Sequence, residues 1–334
     1  MISLEYLDID DCYELKCLPK GVGELTSLQR LDRFIVNSSV EKSFSTAATL
    51  NELRDLNDLG NCLRFENLDK VRNVELESNE ANLKEKKRIR SLRLHWDPRA
   101  RRHIEKDKLL LDNLRPHPNL KELVVHGYEG AMFSSWLSSL NNLVELDIDY
   151  CWNCQYLPPL DHLSSLKSLI LQRFNVLEYM TDSFSLPCST PRTSFFPSLK
   201  KLEIRECPKF KGWWWTTTKN QGSTAEQPCF PCLSKLEIRA CPKLTSMPPF
   251  PSLDQDLTLI GTKKEEMAMT CANSLPATIE MQLSVNGGKQ HLLSSGSSEW
   301  ETCPELSWLG NPLAFFQNQC QWIHLAVSWM CFEQ

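Results

Sequence analysis

Glycine is scarce in this sequence, at 12 of 334 residues, which excludes a collagen-like or glycine-rich linker architecture. Long apolar runs are absent too. None reaches the roughly 20 residues needed to cross a bilayer, and the nearest approach, 322–332, is too short. An export signal is missing, because Glu5, Asp8, Asp10, Asp11 and Glu14 stand where a positive residue and then an apolar stretch are required. Fourteen cysteines without such a signal predict reduced thiols and a cytoplasmic location. Neither charge sign dominates: 37 Lys and Arg face 42 Asp and Glu, a net of -5. That balance gives no global pull toward nucleic acid or an anionic membrane. Catalytic signatures are also lacking. There is no H-E-x-x-H, no G-x-S-x-G and no dinucleotide fingerprint. Gly287-Gly288-Lys289 looks like the end of a phosphate loop, but Leu283 and Gln290 occupy positions that need glycine and Ser or Thr. The expectation is a non-enzymatic protein with no cofactor, no metal, no nucleic-acid partner and no membrane span.

Leucine is what the sequence has in quantity. There are 51, of which 43 fall in 1–260 and eight in the last 74 residues, so the chain has two unlike parts. Segments 199–210 (LKKLEIRECPKF) and 233–244 (LSKLEIRACPKL) agree at nine of twelve positions, 34 residues apart. Their skeleton, L-x-x-L-x-I-x-x-C, recurs at Leu4/Leu7/Ile9/Cys12 and Leu143/Leu146/Ile148/Cys151. It recurs again at Leu166/Leu169/Leu171 and Leu120/Leu123/Val125, with Ile89/Leu92/Leu94 close to it. Looser copies begin near Leu28 and Leu63, and Leu257/Leu259 form a last weak one. Short strands that turn alternate residues inward cannot bury that edge alone, whereas stacked copies bury a continuous apolar column. The prediction is an α/β leucine-rich-repeat solenoid of about ten irregular repeats over 1–260. It has a curved parallel β-sheet on the concave face and an irregular or helical convex side. Residues 261–334 lose the register and are expected to form a poorly ordered extension.

In that register Cys12, Cys151, Cys207 and Cys241 occupy one buried position. The pairs Cys151/Cys154 and Cys229/Cys232 are therefore read as packing residues rather than a zinc site. Segment 84–108 holds eleven basic and four acidic residues, a net of +7. The commonest meaning of such a run is a solvated helix and loop; docking on an acidic protein surface is the sharper alternative. Trp213-Trp214-Trp215 should leave at least one ring partly exposed. The outward strand positions are the candidate protein-binding residues: Tyr6, Asp8, Asp10, Arg30, Arg90, Arg93, His95, Lys121, His126, Glu145, Asp147, Asp149, Tyr150, Gln172, Arg173, Glu203, Arg205, Glu237 and Arg239.

Longer phrases carry a resemblance. The runs at 17–36 (CLPKGVGELTSLQRLDRFIV), 50–96, 114–137, 157–171 and 207–215 (CPKFKGWWW) resemble the repeat region of plant coiled-coil nucleotide-binding leucine-rich-repeat disease-resistance proteins. The resemblance covers roughly 1–260. It implies a role in plant innate immunity, as a scaffold that recognises a pathogen effector or a host guardee and restrains a nucleotide-binding module. In that family a coiled coil and the ATPase module precede the repeats. Neither is in this sequence, so ATP or ADP binding is not carried over. Two other readings stand beside it: a free-standing leucine-rich-repeat adaptor, and a non-functional product of a truncated resistance gene.

Overall fold

The computed structural model describes residues 3–37, 47–100, 103–181, 196–214, 230–245 and 256–261, and the backbone of 278–285 and 288–295. The repeats in the middle of the chain share a common plan. A tight turn closes on leucines three apart, as where the Leu143 N–H donates to the Leu140 carbonyl (2.9 Å) and that of Leu166 to Leu163 (3.2 Å). Leu114, Leu140 and Leu163 before the strands are fully buried, and Leu25 packs against the core at its edge. The strand follows and alternates: Leu146 and Ile148 go in, while Glu145, Asp147 and Asp149 stay out.

After the strand one residue takes the left-handed conformation, which reverses the chain toward the convex side. Asn67, Gly127, Tyr150, Arg173, Glu206, Ala240 and Gly261 all do so, each immediately beyond a strand. The turn lets the N–H reach the next strand, as in Gly127 to the Asp149 carbonyl and Glu206 to that of Arg239 (both 2.9 Å). Glycine is required at 127, where a Cβ would sit 2.2 Å from the Trp96 carbonyl oxygen.

The strands are β1 (Tyr6–Leu7), β2 (Arg30–Leu31), β3 (Arg33–Ile35), β4 (Gly60–Glu66), β5 (Arg88–His95), β6 (Glu122–His126), β7 (Glu145–Asp149) and β8 (Ser168–Gln172). They continue with β9 (Tyr179–Thr181), β10 (Lys201–Arg205), β11 (Gly212–Trp214), β12 (Lys235–Arg239), β13 (Asp256–Ile260), β14 (Thr278–Val285) and β15 (Gly288–Ser295). Eleven of them form one sheet in the order β15-β14-β13-β12-β10-β8-β7-β6-β5-β4-β3. Only the β14–β15 pair in it is antiparallel. The chain is thus a leucine-rich-repeat solenoid, and β7 and β8 pair in register, Leu146 beside Leu169, as the repeat alignment requires. The sheet runs on past Ile260 through β14 and β15; most of 261–334 otherwise lies outside the described residues.

Two helices back the longer strands on the convex side. In α1 (Val74–Glu80) the Asn73 side chain accepts from the Leu76 N–H, and the Glu77 carboxylate accepts from that of Asn73 (3.0 Å). These two bonds satisfy orphan donors of the first turn. It packs on α2 (Ile104–Asn113), where Asn113 Nδ2 donates to Ser78 Oγ at 3.0 Å. A small parallel pair, β9 with β11, forms on the return side. It places Trp213 in the core, edge-on to Phe210 and Phe230 at 5.6 and 5.2 Å.

Cys151, Cys207 and Cys241 are buried as the repeat demands. Their thiols donate to carbonyls two residues back, at Asp149, Arg205 and Arg239 (3.6, 3.3 and 3.4 Å). Cys12 departs from the expectation and is exposed. Its repeat is abbreviated to the two residues of β1, which pairs only with β2, apart from the main sheet.

Candidate protein-binding face

The parallel register converts residues far apart in sequence into three rows across the concave face. At the strand exits run His95, His126, Asp149, Gln172, Arg205 and Arg239. The middle row is Arg93, Val124, Asp147, Ile170, Glu203 and Glu237. The entry row is Ser91, Glu122, Glu145, Ser168, Lys201 and Lys235.

Over β10 and β12 the face has two layers, which corrects the expectation that Glu203 and Glu237 are surface positions. They are only 4% and 5% exposed. Longer cationic side chains lie over them: Lys201 and Arg205 each reach Glu203 at 2.9 Å, and Arg205 Nε reaches Glu237 at 2.7 Å. Arg239 pairs with Glu237 as well. Glu203 and Glu237 are direct cross-strand neighbours, a repulsive arrangement that the shared Arg205 offsets. Burial pushes the Glu237 carboxyl up, but its bonds from Arg205 and Arg239 outweigh this and leave it below its ordinary value. A partner therefore meets guanidinium and ammonium heads there, not carboxylates.

Along the exit rim the rings form a strip. His95 stacks on His126 at 4.8 Å, His126 meets Tyr150 edge-on at 5.0 Å, and Tyr150 meets Trp152 at 5.8 Å. The Arg173 guanidinium lies 4.3 Å from the Tyr150 ring centre. Arg173 also donates to both Asp149 oxygens at 2.8 Å. His126 Nδ1 is 3.4 Å from the same carboxylate. Burial raises the Asp149 carboxyl, but His126 and Arg173 more than reverse it. His95 is held less basic than usual, by burial first and then by His126.

At the centre of the face the pattern changes. Arg93 is paired with Glu122 at 2.7 Å. Glu145 is exposed, and Asp147 is half-buried with an enclosed Oδ1 that has no hydrogen-bond partner. Burial, then Asp149 and Glu203, push the Asp147 carboxyl up.

Other sequence candidates stand apart from these rows. Arg90 and Lys121 lie at the strand entrances, both exposed. Arg90 falls where the β4–β5 register shifts, and it donates to the Asn119 carbonyl at 3.1 Å. Tyr6, Asp8, Asp10 and Arg30 belong to the separate β1–β2 end and are exposed. The carboxylates of Asp8, Asp10 and Asp32 come within 4.8 Å of one another, and Arg30 is paired with Asp32 at 2.9 Å. The basic segment 84–108 is not one patch. Its described residues spread over a turn, β5 and α2, and Lys86 is fully buried, its ammonium donating to the Leu53 and Leu56 carbonyls at 2.6 and 3.0 Å. Residue patterning missed Trp152, Val124 and Ile170 as parts of the face. For Val124 and Ile170 the signal was present, since each sits between two inward residues of a matching repeat.

Comparison with known proteins agrees with this architecture. Residues 50–174 match the family model described as R13L1/DRL21 LRRs, leucine-rich repeats of disease-resistance proteins. Disease resistance protein RGA4 of Solanum bulbocastanum is 35% identical over 234 residues, which is 62% of this chain and 23% of that protein. RGA1 and RGA2 of the same species are each 33% identical, over 201 and 195 residues. The chain spans about a fifth of the length of these curated relatives. Among the described residues no helix is long and apolar enough to cross a membrane.

Proposed function

We propose that this chain, whose leucine-rich repeats are those of the plant disease-resistance proteins it matches, is a protein-binding scaffold of plant defence inside the cell. Its concave face would contact a pathogen effector or a host guardee, and the nucleotide-binding module that the resemblance places before such repeats. One observation carries the reading. The outward positions of six neighbouring strands of the main sheet, β5, β6, β7, β8, β10 and β12, form continuous rows of charged, polar, aromatic and aliphatic side chains. Such a surface lets one partner touch many repeats at once, and the Tyr, Trp and Arg of its rim are the types that dominate protein interfaces. No catalytic role is assigned to any residue.

The test is calorimetric titration of the purified chain with a purified nucleotide-binding module of the kind that the resemblance implies. Binding should be lost in the concave variant Arg239→Glu and kept in Glu75→Lys, which lies on α1 of the convex side. No binding, or the reverse pattern, overturns the reading for that partner.

A further inference from the structure

Charge on the concave face is compensated on both sides of its centre and not at the centre itself. To one side Arg93 is answered by Glu122. To the other, Glu203 is answered by Lys201 and Arg205, and Glu237 by Arg205 and Arg239. Asp149 is held by Arg173 and His126. Asp147 makes no such pair: the residues beside it in its row are Val124 and Ile170, and Lys201 and Arg93 attract it more weakly than Asp149 and Glu203 repel it. Its enclosed Oδ1 accepts no hydrogen bond. Glu145, two residues earlier on the same strand and face, makes no ion pair among the described residues and points into solvent.

A carboxylate kept between two aliphatic side chains loses hydration, and here the attraction of Lys201 and Arg93 does not make up for it in the free protein. The missing group is a cation. An acidic partner, a nucleic acid or an anionic lipid surface would be repelled by Glu145 and Asp147 together. A long basic side chain satisfies the whole arrangement: its head reaches the carboxylate and its methylenes lie along Val124 and Ile170. Tyr150 and Trp152 on the adjoining rim offer aromatic surface to the residues that flank it.

We propose that Asp147, supported by Glu145, is the receptor for a lysine or arginine side chain on a basic segment of a protein partner. This rests on the concave face being the binding face, and the experiment separates the two claims. Random dodecapeptides displayed on phage are selected against the full chain, and the winners are measured by fluorescence polarisation on the parent, Asp147→Asn and Arg239→Ala. The expected winners carry Lys or Arg and lose about tenfold or more in affinity on Asp147→Asn. The same substitution should leave the melting temperature equal to or above that of the parent, since it removes an uncompensated charge. Basic peptides bound equally well by Asp147→Asn overturn the proposal, as do winners that are acidic or uncharged. If Arg239→Ala releases them instead, the concave face still binds but Asp147 is not its reader. Peptides indifferent to both substitutions sink both claims, and so does a selection that yields nothing above an unrelated control protein.

Discussion

Asp107 shows how strongly one position in this array can be set by its surroundings. It lies on α2, only 3% exposed, and its carboxyl is pushed up to about 6. Burial is the main cause; Lys106 opposes it, and Asp69 and Glu129 add to it. The folded chain therefore holds this proton more tightly than the unfolded one, whose carboxyl titrates near 3.8. The contribution to stability is fully present below about 3.8 and is lost as pH rises through about 6. The two-unit displacement corresponds to about 3 kcal/mol at neutral pH. Asp107→Asn keeps an oxygen for the backbone N–H of Glu129 and cannot ionise. Urea unfolding at pH 7 should show the variant more stable than the parent by about 1–3 kcal/mol, with the difference vanishing near pH 4. A variant less stable at both pH values would mean that the ionised carboxylate has a partner the folded chain needs.

Among elements, the β10–β12 pair is the most demanding, because identical strands placed in register set like beside like: Glu203 against Glu237 and Lys201 against Lys235. Arg205 resolves the first of these by pairing with both glutamates. Arg205→Met should leave two adjacent buried carboxylates half-compensated and cost about 2 kcal/mol. Arg239→Met removes a cation that serves Glu237 alone and should cost less. Melting curves that fall equally for the two variants would show that Arg205 is not the bridge. The same pair marks where the sequence was legible. The Leu-x-x-Leu-x-Ile skeleton identified the inward residues of β7, β8, β10 and β12, because inward burial depends only on a strand's own alternation. Outward burial depends on neighbours 23 to 34 residues away across the register, such as Arg205 lying over Glu237 at a separation of 32. Reading KLEIR alone therefore placed Glu203 and Glu237 at the surface. For the same reason the sequence presents His95, His126 and Tyr150 as separate outward residues of three repeats. Only register stacks them. The left-handed residues were hidden for a different cause: among the described residues, five of the eight non-glycine positions with positive φ are Tyr150, Arg173, Phe196, Glu206 and Ala240, types that rarely adopt it, so composition gave no turn signal there.

The whole molecule is a stack in which each repeat touches mainly its neighbours, so stability is a sum of repeat terms and interface terms rather than the property of one closed core. The strand contacts follow that rule, each strand of the main sheet packing against those beside it. The interior repeats are fully packed, with Leu146 and Leu169 at 1% and 0% exposure. The β1–β2 end is not: Leu7 is only partly buried, Ile9 is 8% exposed, and the pair is separate from the eleven-stranded sheet. A change in the middle must therefore interrupt two interfaces, whereas one at this end weakens a single interface. Leu169→Ala should cost about 2–5 kcal/mol and lower the urea midpoint of the whole transition. Leu7→Ala should leave that midpoint nearly unchanged and act locally. Hydrogen exchange gives the decisive reading at the Gln29 and Arg30 amides, which both donate to the Glu5 carbonyl across the β1–β2 end. These should exchange faster in Leu7→Ala, while the Lys167 and Ser168 amides, bonded to the Val144 carbonyl in the middle of the stack, keep the parent rate. If Leu7→Ala instead accelerates the central amides to the same degree, the repeats unfold as one unit and the nearest-neighbour description of this solenoid fails.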